Sequence, residues 1–394
     1  MILKGKQIAL GVTGAISAYK ALELTRLLVK EEASVWPVMT KSAAEFITPL
    51  SLSTLARNPV STGLFELTGT NLISHIEVAQ KSDLIICAPA TANIIGKAAS
   101  GIADDLLSTI IMAACCPVLF APSMNSRMWA NPAVAENIEK LKSRGYLFIG
   151  PAEGDLACGY QGKGRLSALE DIMEAARDAI SPKDLAGEKV LVTAGPTREA
   201  IDPVRFVSNS SSGRMGYALA RAARRRGAEV VLVTGPTHLP VPSNMTVVHV
   251  TTAEEMYDAS VRYFPQSSVV IMSAAVADYR PVKSYASKVK KDAGTLSLDM
   301  ERTTDVLKYM GKKKKPGQFL VGFALETENL EDNARKKLQD KNLDLVIGNT
   351  PAGLDSEINQ VTILNRENST EVMAPLPKDE VADRILDRVV ALRA

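Results

Sequence analysis

Short apolar runs rich in Val and Ile alternate with helical stretches along this chain, and the alternation runs twice. The first series is QIALGV (7–12), SVWPVM (34–39), DLIICA (83–88) and PVLFAP (117–122), with a helix expected near 17–31 and others between the later runs. Runs this short, with no polar alternation, suit strands buried on both faces, and the intervening helices supply the crossovers that parallel strands need. SPKDLAGEK (181–189) reads as a linker, after which the pattern restarts with KVLVTAG (189–195). The helix GYALARAARRRG (216–227) and the runs EVVLVTG (229–235), SVVIMSAA (268–275), QFLVGFA (318–324) and DLVIGN (344–349) follow. VTAGPT (192–197) and VTGPT (233–237) read more simply as two strands ending at one sheet edge than as a duplication. The expected fold class is α/β, with two tandem Rossmann-like domains over 1–188 and 189–394 and sites at the C-terminal strand ends.

The length of 394 residues also favours two domains. A net charge of +2 gives no basic face for nucleic acid, and Lys312 to Lys315 suits a solvated helix end. Cys87, Cys115, Cys116 and Cys158 form neither a disulfide framework nor a zinc spacing. The first three read as core, and reduced thiols fit the cytoplasm. No apolar run reaches the ~20 residues of a membrane span. IALGVTGAISA reads as a strand with a glycine turn rather than a signal peptide. The expectation is a cytoplasmic chain without membrane or nucleic-acid partners.

Two groups of residues carry chemistry. GVTGAIS (11–17) follows the first strand and opens a helix, where small residues let the backbone approach a phosphate. It is neither G-x-G-x-x-G nor a Walker sequence, so a monophosphate and a ligand-free tight turn both fit. APATANIIGK (88–97) adds Thr91 and Asn93, while Asp104 and Asp105 face different directions and read as capping or contact groups. His75 sits at a helix start, where a lone imidazole is more often structural than catalytic. Cys158 lies in a loop with Gly154, Gly159, Gly162 and Gly164, the composition of a flap. In the second half Arg205 and Asn209 precede Ser210-Ser-Ser-Gly213 and a helix, an arrangement suited to an acyl phosphate; capping alone accounts for one of the serines. Lys288, Lys290 and Lys291 follow AAVADYRP and suit a triphosphate, with a solvated run as the alternative.

SHIE, APATAN, GIADDLLST, PSMNSRMW and ACGYQGKGR, in this order over about residues 5 to 180, resemble the phosphopantothenoylcysteine decarboxylases among the homo-oligomeric flavin-containing cysteine decarboxylases. GAIS stands where that family more often has GGIA. The resemblance implies a flavodoxin-like flavoprotein domain with His75 as catalytic base, Asn125 holding the substrate carboxylate and Cys158 donating a proton. It implies FMN on Gly14, Ala15, Ile16, Thr40, Thr91, Ala92, Asn93 and Ser123. The chemistry explains the flavin. Loss of CO₂ from a cysteinyl carboxylate needs an electron sink, which oxidation of the thiol to a thioaldehyde creates, and the reduced flavin later returns the hydride.

From about 189 onward DPVRFVSNSSSGRMG, AAVADY and the basic cluster resemble the CTP-using phosphopantothenate–cysteine ligases. GPT replaces GGT, Arg214 a frequent Lys, and TTDVL (303–307) the usual NPDIL. The resemblance implies a parallel-sheet ligase domain in which Asn209 binds the acyl-nucleotide, Arg205 reaches the pantothenate end and Lys288 serves activation. CTP and substrate contacts are expected at Ser211, Ser212, Gly213, Met272, Ser273, Ala274, Asp278, Thr304, Asp305, Val306, Leu307, Phe323, Lys337 and Lys341. Mg²⁺ is expected with the triphosphate, without a protein-only cage.

Together the halves imply an enzyme of coenzyme A biosynthesis that ligates cysteine to 4′-phosphopantothenate and decarboxylates the product. The resemblance further implies a homo-oligomer of trimeric decarboxylase and dimeric ligase units, hence a dodecamer. A flavin prenyltransferase or peptidyl-cysteine decarboxylase is the rival for the first half, and a partner-binding flavoprotein the rival of another class. The second signature disfavours the enzymes, and His75 with Cys158 disfavours the binder.

Overall fold

The structure is a computed structural model that describes residues 2–64, 75–155, 159, 161–290, 297–353, 356–367 and 369–393. It divides into two compact units, Met1–Ser181 and Pro182–Ala394.

The first unit runs β1 (Gln7–Val12), α1 (Lys20–Lys30), β2 (Ser34–Met39), α2 (Pro49–Ala56), α3 (His75–Lys81), β3 (Leu84–Ala90), α4 (Ala92–Ser100), α5 (Leu106–Met112) and β4 (Val118–Pro122). It continues with α6 (Ser126–Trp129), α7 (Pro132–Ser143), β5 (Leu147–Phe148), the hairpin β6 (Ala152–Asp155) and β7 (Gln161–Arg165), and α8 (Leu169–Ile180). Five strands form a parallel sheet in the order β2-β1-β3-β4-β5. β3 and β4 are buried throughout, because helices cover both faces. Leu10, Leu24, Ile86 and Ile172 share one core layer, and Ile85, Ile94, Ile110 and Phe120 the other. The chain leaves β1 on one side to make β2 and returns on the other to make β3. The loops after β1 and β3 therefore diverge and open a crevice between them, the usual ligand position in such a sheet.

The second unit begins with β8 (Lys189–Ala194), the hairpin β9 (Arg198–Ala200) and β10 (Phe206–Ser208), α9 (Arg214–Arg225), β11 (Glu229–Thr234), β12 (Thr246–His249), α10 (Ala253–Tyr263) and β13 (Val269–Met272). β14 (Tyr279–Pro281), β15 (Met300–Arg302), α11 (Val306–Lys313), β16 (Phe319–Leu325), α12 (Leu330–Asp340) and β17 (Leu345–Asn349) follow. The unit closes with β18 (Ile358–Asn359), β19 (Val361–Asn365), β20 (Thr370–Val372), β21 (Leu376–Pro377) and α13 (Lys378–Arg393). Its main sheet has the order β12-β11-β8-β13-β16-β17-β19-β20. Order reverses between β8 and β13, so a second crevice opens there. β8 and β11 are parallel neighbours, as the two VT-G-PT runs suggested.

Three features depart from expectation. The sheet of the second unit is mixed, because β19 and β20 pair antiparallel at one edge. The segment after Ser181 is no free linker: Leu185 is fully buried in the core of the second unit, and the Asp184 carboxylate is paired with Arg226. Cys87 is core, with burial pushing its thiol well above the ordinary range. Cys115, in contrast, is exposed and Cys116 half-buried, because α5 stops at Met112 and the chain turns before β4. No helix among the described residues is long and apolar enough to cross a membrane.

Candidate functional sites

The crevice of the first unit is a cleft of about 670 Å³. The Thr13 hydroxyl ties its two walls together, donating to the Pro89 carbonyl at 2.7 Å and accepting from the Thr91 N–H at 3.1 Å. Ala15 opens a short 3₁₀ turn, Ile16–Tyr19, whose first amides receive no side-chain cap. That leaves the positive end of the turn uncapped, among the residues that line the cleft. The Ser17 hydroxyl donates to Ser123 Oγ at 2.7 Å, and both serines are buried.

Of the residues brought forward by sequence, Gly14, Ala15, Ile16, Thr91, Ala92, Ser123 and Asn125 line this cleft. Thr40 does not: its N–H donates to Val12 O at 3.0 Å and its hydroxyl accepts from Ala43 N–H at 3.3 Å, which fastens the ends of β1 and β2. Asn93 is exposed on the first turn of α4. Tyr19, Met128, Asp155 and Arg165 also line the cleft; Met128 and Arg165 lie within the quoted motifs, whereas Tyr19 and Asp155 lie outside them.

Asn125 caps α6, its side chain accepting from the Arg127 N–H at 2.8 Å. The β6–β7 hairpin presses against this loop. Met124 N–H donates to Gly164 O at 3.0 Å, and a Cβ on Gly164 would lie 2.2 Å from Met124 O. With φ at +154°, only glycine fits that contact without strain. Cys158 lies outside the described residues; β6 and β7 pair at Asp155 and Gln161 on either side of it in the sequence. His75 opens α3, is half-buried, and is not among the residues lining the cleft. Asp105 caps α5, and with Asp104 it pairs with Lys97, both at 2.6 Å, the contact role expected of these carboxylates.

The second crevice holds a pocket of about 380 Å³. Two buried threonines of the VTAGPT run brace the loop after β13 that lines it. Thr193 Oγ1 accepts from Ala274 N–H at 3.2 Å, and Thr197 Oγ1 from Ala277 N–H at 2.9 Å. Gly213 is the N-cap of α9, in the left-handed region (φ +77°), and Ser211 Oγ accepts from its N–H at 3.4 Å. A Cβ there would lie 2.8 Å from Thr237 Cγ2, so the glycine lets the serine loop seat against the strand ends. The Asn209 amide donates to Ala275 O at 3.0 Å.

Asn209, Ser211, Ser212, Gly213, Ser273, Ala274, Asp278, Phe323 and Lys337 line this pocket. Burial, then the neighbouring Lys341, push the Lys337 ammonium below its usual range against the opposing pull of Glu326, Asp305 and Asp278. The other expected contacts lie elsewhere. Arg205 pairs with Asp202 at 2.9 Å and donates to the carbonyl of Val289, so it braces the loop that carries Lys288. Lys288 itself is exposed. Met272 is buried and accepts from the Thr193 hydroxyl. Thr304 is exposed, whereas Asp305 caps α11 and pairs with Lys341 at 2.8 Å. Val306 and Leu307 are core residues. Sequence reasoning missed Asn349, Asn359 and Lys378, which join the pocket from beyond β16.

A flavoprotein family model matches residues 2–181, and the model of the DNA/pantothenate metabolism flavoprotein C-terminal domain matches 185–392. The coenzyme A biosynthesis bifunctional protein CoaBC of Bacillus subtilis (strain 168) is 46% identical, over 99% of this chain and 98% of the relative. That of Vibrio cholerae serotype O1 is 43% identical, over 98% of both chains. A crystal structure of the C-terminal domain of a CoaBC protein is 42% identical, with a TM-score of 0.47, over 53% of this chain and 97% of that one. The chain belongs to the family of bifunctional coenzyme A biosynthesis proteins, CoaBC.

Proposed function

We propose that the two units catalyse consecutive steps. In the second, a carboxylate oxygen of 4′-phosphopantothenate attacks the α-phosphorus of CTP and displaces pyrophosphate. The amine of cysteine then attacks the acyl carbon of the acyl-cytidylate and displaces CMP. In the first unit the resulting 4′-phosphopantothenoylcysteine loses CO₂ to give 4′-phosphopantetheine. The observation that carries this reading is that each sequence signature contributes side chains to its own switch-point crevice, within a chain that matches CoaBC relatives over nearly its whole length.

FMN fits the first cleft, whose volume suits a cofactor and whose uncapped turn at Ala15 offers amides to the monophosphate. When bound, the flavin takes up and later returns an electron pair, which lets the cysteinyl carboxylate leave. Asn125, held by the Gly164 contact, orients that carboxylate. His75 takes a proton from the substrate, and Cys158 supplies one at the enethiol carbon.

In the second pocket the amides at the start of α9 and the Lys337 ammonium receive the anionic nucleotide. Asn209 steadies the acyl oxygen, and Lys288 reaches the triphosphate from its braced loop. Asp278 is the carboxylate among the lining residues and is the candidate protein ligand of Mg²⁺. The magnesium arrives on the triphosphate in this reading. A homo-oligomer, trimeric through the first unit and dimeric through the second, is part of the same proposal.

The test is incubation with phosphopantothenate, cysteine and either CTP or ATP, with products identified by mass. Phosphopantetheine, CMP and pyrophosphate from CTP are expected. ATP as the equal or better nucleotide contradicts the assignment.

A further inference from the structure

The far wall of the second pocket comes from chain segments that neither sequence signature contains. Lys378 is the first residue of α13 and is 7% exposed, yet it lines the pocket. Its backbone N–H donates to Glu357 O at 3.0 Å, and Glu357 in turn pairs with Arg214, the first residue of α9. Arg221 pairs with Asp379, and Arg225 and Arg226 pair with Asp383 and Asp387. These contacts advance together along both helices, so α9 and α13 run side by side in one direction, with the start of α13 beside the second turn of α9. The pocket thus brings together the uncapped N-terminus of α9 and a buried lysine, which favour an anion.

Asn359 supplies an independent observation. It is 3% exposed, lines the same pocket, and its Oδ1 has no hydrogen-bond partner among the described residues. The β18–β21 pairing sets Asn359 opposite Leu376, two residues before Lys378. A Cβ on Gly353 would lie 2.0 Å from this oxygen, so the glycine is what lets the amide sit there. A buried acceptor without a donor is costly, and an occupant that brings an O–H relieves it.

We propose that Lys378 and Asn359 form the polyphosphate end of the nucleotide subsite, the ammonium holding phosphate oxygens and the amide oxygen accepting an O–H that the nucleotide brings. This rests on the ligase reading. Two donors accompany a nucleoside triphosphate, a water on its magnesium and a ribose hydroxyl. The cysteine zwitterion also carries both charge signs, but the α9 N-terminus, Lys337 and Lys378 on one pocket favour an occupant with excess negative charge.

The test is equilibrium calorimetry on the full-length protein with magnesium pyrophosphate, and with CTP in the absence of phosphopantothenate so that nothing turns over. Lys378→Met is expected to weaken both ligands at least tenfold, and Lys378→Gln, which keeps a polar tip, repeats the measurement should the methionine variant not fold. Asn359→Ala is expected to weaken magnesium pyrophosphate, with a metal-bound water as the donor; one that weakens CTP alone places a ribose hydroxyl on Asn359 and removes it from the polyphosphate end. Unchanged affinity for both ligands in the Lys378 variants, or in Asn359→Ala, overturns the subsite while leaving the ligase reading intact. A raised KM for cysteine with unchanged pyrophosphate and CTP binding reassigns the wall to the amino acid and overturns it too. Wild-type protein that binds neither ligand overturns both readings.

Discussion

Asp202 opens the second signature without belonging to its expected ligands, and the structure gives it a bracing task. Its carboxylate accepts N–H bonds from Val204 and Arg205 at 2.8 Å and from Val289 at 3.2 Å. Burial pushes its pKa up, but these donors and the Arg205 charge outweigh burial and hold it below the usual aspartate range. For an acid depressed in this way the bracing is intact at neutral pH and is lost as pH falls through the lowered value. Asp202→Asn is expected to speed hydrogen exchange over 283–290 at neutral pH and to slow pyrophosphate release, with Lys288 less well placed; unchanged exchange would remove the brace. Asn209→Ala is expected to slow attack by cysteine about 100-fold, as loss of one donor to a developing oxyanion does, while acyl-cytidylate formation persists. Accumulation of that intermediate in a rapid quench is the readout. His75→Asn is expected to keep the flavin spectrum and lose CO₂ release. A colourless variant would return His75 to the structural role that its position at a helix start also allows.

Among the elements, the parallel strands were the most legible. Their runs are continuous because both faces are buried, and the two VT-G-PT segments fall side by side where β8 pairs with β11. β19 and β20 were not legible. β19 joins the sheet antiparallel to β17 and β20 closes its edge, and both are short and interrupted by polar residues rather than continuous apolar runs. The candidate sites divide on the same ground. Residues on the turns after β1, β3 and β13 were legible because the turn itself sets their position, whereas Asn349, Asn359 and Lys378 meet only through sheet order. TTDVL shows the limit of reading by motif: Val306 and Leu307 are core, and Asp305 spends its carboxylate on a helix cap and Lys341. The β6–β7 hairpin gives the sharpest element-scale test. Gly164→Ala places a methyl against Met124 O, at a backbone angle that costs about 1–3 kcal/mol when a side chain is forced into it. Decarboxylation should fall steeply while CMP formation from CTP is unchanged. A parallel loss of both activities would indicate general unfolding instead.

At the scale of the whole molecule, each unit has its own sheet with core layers on both faces, and the segment 182–188 is packed into the second. Residues 182–394 alone are therefore expected to fold and to form phosphopantothenoylcysteine with CMP and pyrophosphate, without bound flavin. Starting instead at 189 deletes Leu185 and Asp184 and should lower the melting temperature, as removal of a fully buried leucine costs about 2–5 kcal/mol. The account's central claim is that one unit makes what the other consumes, and a labelled carboxylate follows that hand-over directly. Full-length protein is supplied with cysteine carrying ¹³C in its carboxyl group, and ¹³CO₂ is measured with CTP and phosphopantothenate added singly and together. Labelled CO₂ should appear only with both, in step with CMP. Release of ¹³CO₂ from cysteine without CTP, or CMP formation with no labelled CO₂, would contradict the account.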